Sequence, residues 1–114
     1  MKFINIKYIY AMRIAKAIQT FIGFESIDGF CGENLSVLDP TYNATLKAWL
    51  GNEDNDQFFM IPLPNSKEGA NLLCRALRLY TASEAIYWGY NSEMKNAIKT
   101  CNDRLCKDIL AKYE

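Results

Sequence analysis

The chain has 114 residues, 50% of them hydrophobic and 23% charged, with thirteen Lys plus Arg against thirteen Asp plus Glu. That suffices for one domain over residues 1–114 that buries a core without metal or disulfides, and it offers no bulk charge for nucleic acid or a membrane. Histidine is absent, which excludes Ser–His and Cys–His nucleophile pairs, an imidazole base and a His metal ligand.

Charge is unevenly placed. Residues 1–24 carry Lys2, Lys7, Arg13 and Lys16 with no acid, whereas residues 25–56 carry seven acids against Lys47. Such segments either neighbour and neutralise one another or form opposed patches, one of which meets a partner.

Residues 2–9 alternate Ile4, Ile6 and Tyr8 against Asn5 and Lys7, the period of a strand. From Tyr10 the period changes: Ala11, Ile14, Ala15, Ile18, Phe21 and Ile22 share a helical face, with Gly23 as the expected C-cap. Phe24 to Glu33 reads as a turn-rich connection in which Phe24 and Ile27 could form a short strand leading to a hairpin at Asp28-Gly29. Asn34–Leu38 is a second strand candidate. Asp39 and Pro40 then mark a helix start, as N-cap and first helical residue, with Leu46, Trp49 and Leu50 as its buried edge and Gly51 as its end.

Asn52–Gln57 is an acidic loop. Phe58–Leu63 is an apolar run that reads as a buried strand halted by Pro62 and Pro64. The stretch around which the chain is organised follows, Ser66 to Tyr90. Leu72, Leu73, Ala76, Leu77, Leu79, Tyr80, Ile86, Tyr87 and Tyr90 make a broad apolar stripe, with Asn71, Arg75, Arg78, Ala82, Ala85 and Gly89 opposite. Thr81 and Glu84 have capping-box spacing, but the unbroken helix is the expectation. After Asn91, with Ser92 as cap, Met94, Ala97, Ile98, Cys101, Leu105, Ile109 and Leu110 form a second stripe to the C-terminus. The expected fold is α+β: a small sheet of about three strands packed against helices, ending in a long C-terminal helical hairpin.

Chemistry is sparse. Glu53, Asp54 and Asp56 could attract a hard cation, but an EF-hand loop counted from Asp54 would need Gly and Glu where Phe59 and Asn65 stand. No metal and no cofactor is implied. Gly29-Phe30-Cys31-Gly32 lacks the pattern of a phosphate loop. Residues 1–24 show no secretory apolar segment and no run spans a membrane, so Cys31, Cys74, Cys101 and Cys106 read as reduced, cytoplasmic thiols. Cys101 and Cys106 lie roughly 140° apart on one helix, too far round to bridge. Cys74, beside Arg75 and Arg78, reads as a packed thiol. Lys95 with Lys99, and Arg13 with Lys16, could touch phosphates, although such pairs more often form solvated faces.

Arg75, Arg78, Tyr87, Trp88 and Tyr90 remain as the candidate partner- or ligand-binding set, because Arg, Tyr and Trp dominate interface hot spots and also stack on nucleotides. The expectation is a small non-enzymatic protein that binds another protein, as an inhibitor, immunity or adaptor factor. Rich Ile, Asn, Lys and Tyr usage suits an AT-rich, bacterial or phage genome. The alternative is an oligomer that encloses a nucleotide-like molecule, and an enzyme using carboxylates and Tyr ranks last.

Overall fold

The computed structural model describes the backbone of residues 2–28, 35–51, 56–89 and 91–114, and their side chains except those of 24–28 and 84–88. It is an α+β arrangement with four α-helices and a two-stranded antiparallel sheet: β1 (Phe3–Lys7), α1 (Tyr8–Asp28), a 3-10 turn (Leu35–Leu38), α2 (Asp39–Leu50), β2 (Phe58–Pro62), α3 (Lys67–Trp88) and α4 (Ser92–Ala111).

The period of two in β1 is realised: Ile4 and Ile6 are buried while Phe3, Asn5 and Lys7 face out. β1 pairs with β2 in the register Ile4↔Ile61 and Ile6↔Phe59. The ladder extends beyond both strand ends, Leu63 N–H donating to Lys2 C=O at 2.8 Å and Tyr8 N–H to Gln57 C=O at 3.1 Å. Since hydrogen-bonded and unbonded pairs alternate, the Pro62 backbone points to the outer edge of β2. There Pro62 has no N–H to offer, and its carbonyl accepts the Thr41 hydroxyl of α2 at 2.7 Å. This closes that end of the edge to a third strand.

The expected strand over 34–38 is accordingly corrected: its described residues, Leu35–Leu38, form a 3-10 turn that runs straight into α2, and the described sheet has two strands, not three. Because helical backbone already precedes Asp39, Leu38 occupies the N-cap position with no side-chain cap, and Asp39 and Pro40 fall inside the helix. Gly51 does end α2, its N–H reaching Lys47 C=O at 2.9 Å. The buried edge of α2 also differs from the expectation. Thr41, Thr45 and Ala48 are buried, Leu46 and Trp49 are half-buried, and Leu50 is exposed. Thr45 can be buried because its hydroxyl lies 2.8 Å from Thr41 C=O and 3.0 Å from Tyr42 C=O, so no polar atom goes unpaired.

Helix α1 starts earlier than expected and passes through Gly23 to Asp28, so Gly23 is no C-cap and Phe24–Ile27 form no strand. Among the described residues only Gly89 takes a positive φ, 62°. It follows the last residue of α3 and supplies the left-handed conformation that ends the helix before α4. The start of α4 is capped by Asn91, not Ser92: the Asn91 side chain accepts from Met94 N–H at 2.8 Å. Gly29–Asn34, Asn52–Asn55 and Tyr90 lie outside the described residues, and with them the expected Asp28-Gly29 turn, the core of the acidic loop and Cys31.

Helix α3 runs unbroken past Thr81, whose hydroxyl donates back to Leu77 C=O at 2.9 Å instead of capping a new helix. Its first turn is held by Ser66, whose side chain accepts from Gly69 N–H at 3.1 Å. A Cβ on Gly69 would lie 2.6 Å from Pro64 Cβ, so only glycine allows this close approach. The core joins Ile4, Ile6 and Ile61 of the sheet to Ile14, Ile18 and Phe21 of α1, Leu38 of the 3-10 turn, Leu73 and Leu77 of α3, and Leu105 and Ile109 of α4.

Candidate functional site

Helices α3 and α4 pack against one another with Cys74 beside Cys106 and Thr81 beside Asn102, so the chain runs in opposite directions along the two. Their inner halves sink into the core. Their outer halves do not: from Arg78 to Ser83 of α3, and from Glu93 to Thr100 of α4, every side chain is exposed or half-buried. Leu79 is 42% and Met94 45% exposed, although both lie on the apolar stripes.

Where the inner and outer halves meet, a polar contact joins three helices. Asn102 is buried at 1% exposure. Its Oδ1 accepts from Arg13 Nε of α1 at 3.2 Å and its Nδ2 donates to Thr81 Oγ1 of α3. The Arg13 guanidinium lies 5.7 Å from the centre of the Tyr80 ring. A buried amide satisfied at both ends pins the register of the three helices, because any slide would leave polar atoms unpaired.

Above this pin lies a cleft of about 390 Å³ lined by Arg78, Thr81, Ala82, Lys95, Asn96, Lys99, Asn102 and Asp103. Lys95 and Lys99 are one turn apart on α4, and Arg78 faces them from α3, so three cations meet one carboxylate. Of the candidate residues read from the sequence, Arg78 belongs to this cleft and Arg75 does not. Arg75 lines a separate groove of about 470 Å³ with Val37, Ser66, Glu68, Gly69, Asn71 and Leu72, its guanidinium 5.9 Å from the Phe21 ring centre. Tyr87 and Trp88 are the penultimate and last residues of α3, with side chains outside the described set, as is all of Tyr90.

Lys95 and Lys99 were visible in the sequence as a helical pair, but a single helix cannot show that a second one faces it with an arginine. Asn102 was missed outright. The signal was there: it sits between Cys101 and Leu105 on the stripe of α4, where a solvated asparagine would not be expected.

The thiols behave as core. Cys74 and Cys106 are buried, each sulfur facing the other's backbone carbonyl, at 3.7 Å and 3.8 Å. Contact with the Cys74 sulfur, then burial, pushes the Cys106 thiol well above the ordinary range. A half-buried Cys101 meets Tyr10, and that hydrogen bond, followed by the charge and burial of the contact, raises the Tyr10 phenol above its ordinary value. A phenol held protonated is a poor base at neutral pH.

Among the described residues no group of three or more Cys, Asp or Glu gathers to hold a metal ion, and no helix is long and apolar enough to cross a membrane. Comparisons with protein-family models, with curated proteins and with solved structures give no match.

Proposed function

We propose that the protein is a small non-enzymatic binding protein that captures another protein through the outer halves of α3 and α4, which serve as a helical hairpin offered to that partner. Inhibitor, immunity and adaptor factors work in this way. The observation that carries the reading is the exposure of Leu79 and Met94 beside Arg78, Lys95 and Lys99. Exposed apolar side chains on the same helix halves as three cations match the composition of an interface and serve no purpose in the domain's own core. Trp88 follows Thr81 in sequence by about two helical turns, with Tyr87 and Tyr90 on either side of it, and the reading counts these aromatic residues with the interface.

The test is affinity capture by the tagged protein, with Arg78→Ala and Trp88→Ala as variants. Both should reduce the captured partner while leaving the melting temperature within a few degrees of the parent. Undiminished capture by both variants would remove the assignment.

A second reading, an oligomeric binder of nucleotide-like molecules, draws support from the cleft of about 390 Å³, within the usual size of small-molecule sites. It predicts a melting temperature that rises with added nucleotide, and a native mass heavier than a whole number of chains. Without either, this reading falls.

A further inference from the structure

We infer that the α3–α4 cleft recognises carboxylates on an acidic segment of the protein partner, with Arg78, Lys95 and Lys99 as the reading residues. This inference rests on the binding function proposed above and names the chemistry of its site.

The charge of the cleft favours an anion: Arg78, Lys95 and Lys99 line it against Asp103 alone. Its floor is stiff, because the buried Asn102 amide is tied to Arg13 on one side and to Thr81 on the other. Stiffness matters because it holds the two helices in register, so that exposed Arg78 on α3 stays opposite exposed Lys95 and Lys99 on α4 without rearrangement of the backbone when an anion arrives. Lys95 and Lys99 stand about 6 Å apart along the axis of α4, the spacing of two carboxylates one turn apart on a facing helix. Arg78 adds a planar fork that suits a third carboxylate in two-point contact.

One feature favours a peptide over a nucleotide. Leu79 and Met94 are exposed on the same outer halves, which suits the apolar side chains that alternate with acids on an amphipathic segment.

The experiment uses a defined probe: a helical alanine-based peptide with three glutamates at one-turn spacing, titrated into the full chain and followed by amide chemical shifts. Its glutamine counterpart and inorganic pyrophosphate serve as comparisons. The glutamate peptide should bind saturably, shifting Arg78, Lys95, Asn96 and Lys99, and weaken as salt is added. Lys95→Glu with Lys99→Glu should reduce its affinity about tenfold or more. Lys107→Glu with Lys112→Glu carries the same charge change to exposed positions near the end of α4 and just past it and should change affinity roughly twofold or less. Circular dichroism confirms that each double variant folds.

Equal binding of the glutamine peptide, or equal loss in both double variants, would overturn the inference by showing no carboxylate reading or only diffuse charge. Pyrophosphate binding at the cleft without peptide binding would overturn it in favour of a small phosphorylated ligand. The binding function itself is judged separately by the Arg78→Ala and Trp88→Ala captures. A bound glutamate peptide with undiminished capture by both variants would remove the assignment of the partner site and leave the cleft's chemistry standing.

Discussion

Along the same two helices, the inner and outer halves carry similar sequence patterns and meet opposite fates. Between Ala70 and Leu77 of α3, and between Asn102 and Ile109 of α4, the apolar positions are covered by α1, the sheet and Leu38. Leu73, Leu77 and Ile109 are fully buried as a result. From Arg78 outward on α3, and before Cys101 on α4, the stripes continue through Leu79, Met94 and Ala97, yet these side chains stay exposed. The stripe is apolar in both halves. What differs is whether a third element lies on it, and among the described residues only the inner halves receive one. Helical periodicity reports that a face is apolar; it does not report what covers the face. In the outer halves the cleft and its cations occupy the place that a packed element takes in the inner ones.

The sharpest way to break this comparison is to truncate a leucine on each side. Leu77→Ala should cost about 2–5 kcal/mol by opening a cavity in a packed site. Leu79→Ala, only two residues on, should cost about 1 kcal/mol or less, because that side chain is already exposed and its loss leaves no closed cavity. Urea unfolding of the two variants checks this, and similar losses would erase the distinction. The boundary itself is tested next. Asn102→Ala should lose about 1–3 kcal/mol, because Arg13 Nε and Thr81 Oγ1 each lose a partner in a buried site. A loss within error would mean that the three-helix pin does not hold the register.

The smallest expected effect concerns the inner end at high pH. Burial, then the neighbouring Cys74, raises the Tyr113 phenol above its ordinary 10.0, and its hydroxyl donates to Pro64 C=O. Tyr10 is raised as well, chiefly by its hydrogen bond with Cys101. Both folded-state values exceed those of the unfolded chain, so the stabilisation is complete below the ordinary tyrosine value and fades as pH climbs through the raised ones. Urea midpoints should therefore fall above pH ~10, and Tyr113→Phe should flatten part of that fall. An unchanged slope in Tyr113→Phe would assign the effect elsewhere.

Much of the architecture was legible because it follows from local periods. β1 alternates strictly, Phe58–Pro62 is a strand as its apolar run suggests, and α3 is continuous because nothing between Lys67 and Trp88 breaks a helix. β2 is not the buried strand expected, however, since Phe58 and Met60 are exposed on a two-stranded sheet and only Ile61 is buried. The misreadings share a different cause. Leu35–Leu38 has strand-like residues, but its neighbours, a helix start after it and a blocked edge at Pro62, leave no ladder for it to join. Gly23 looked like a stop, yet a glycine only raises the entropic cost of continuing, and α1 continues. Thr41, Thr45 and Asn102 are polar and so belong to none of the apolar patterns, yet the structure buries each with hydrogen bonds made. The candidate site was half legible: Arg78 could be singled out on its own helix, whereas the cleft exists only once α4 brings Lys95 and Lys99 opposite it.

Hydrogen exchange along α3 and α4 tests the central claim most directly, since it measures stability residue by residue. The account predicts that amides of Leu72–Leu77 and of Leu105–Ile109 exchange only through global unfolding. Those of Leu79–Ser83 and Lys95–Thr100 should exchange at least about tenfold faster through local opening, and slow when the glutamate peptide is bound. Uniform protection along both helices, unaltered by the peptide, would contradict the division into a structural inner half and a binding outer half.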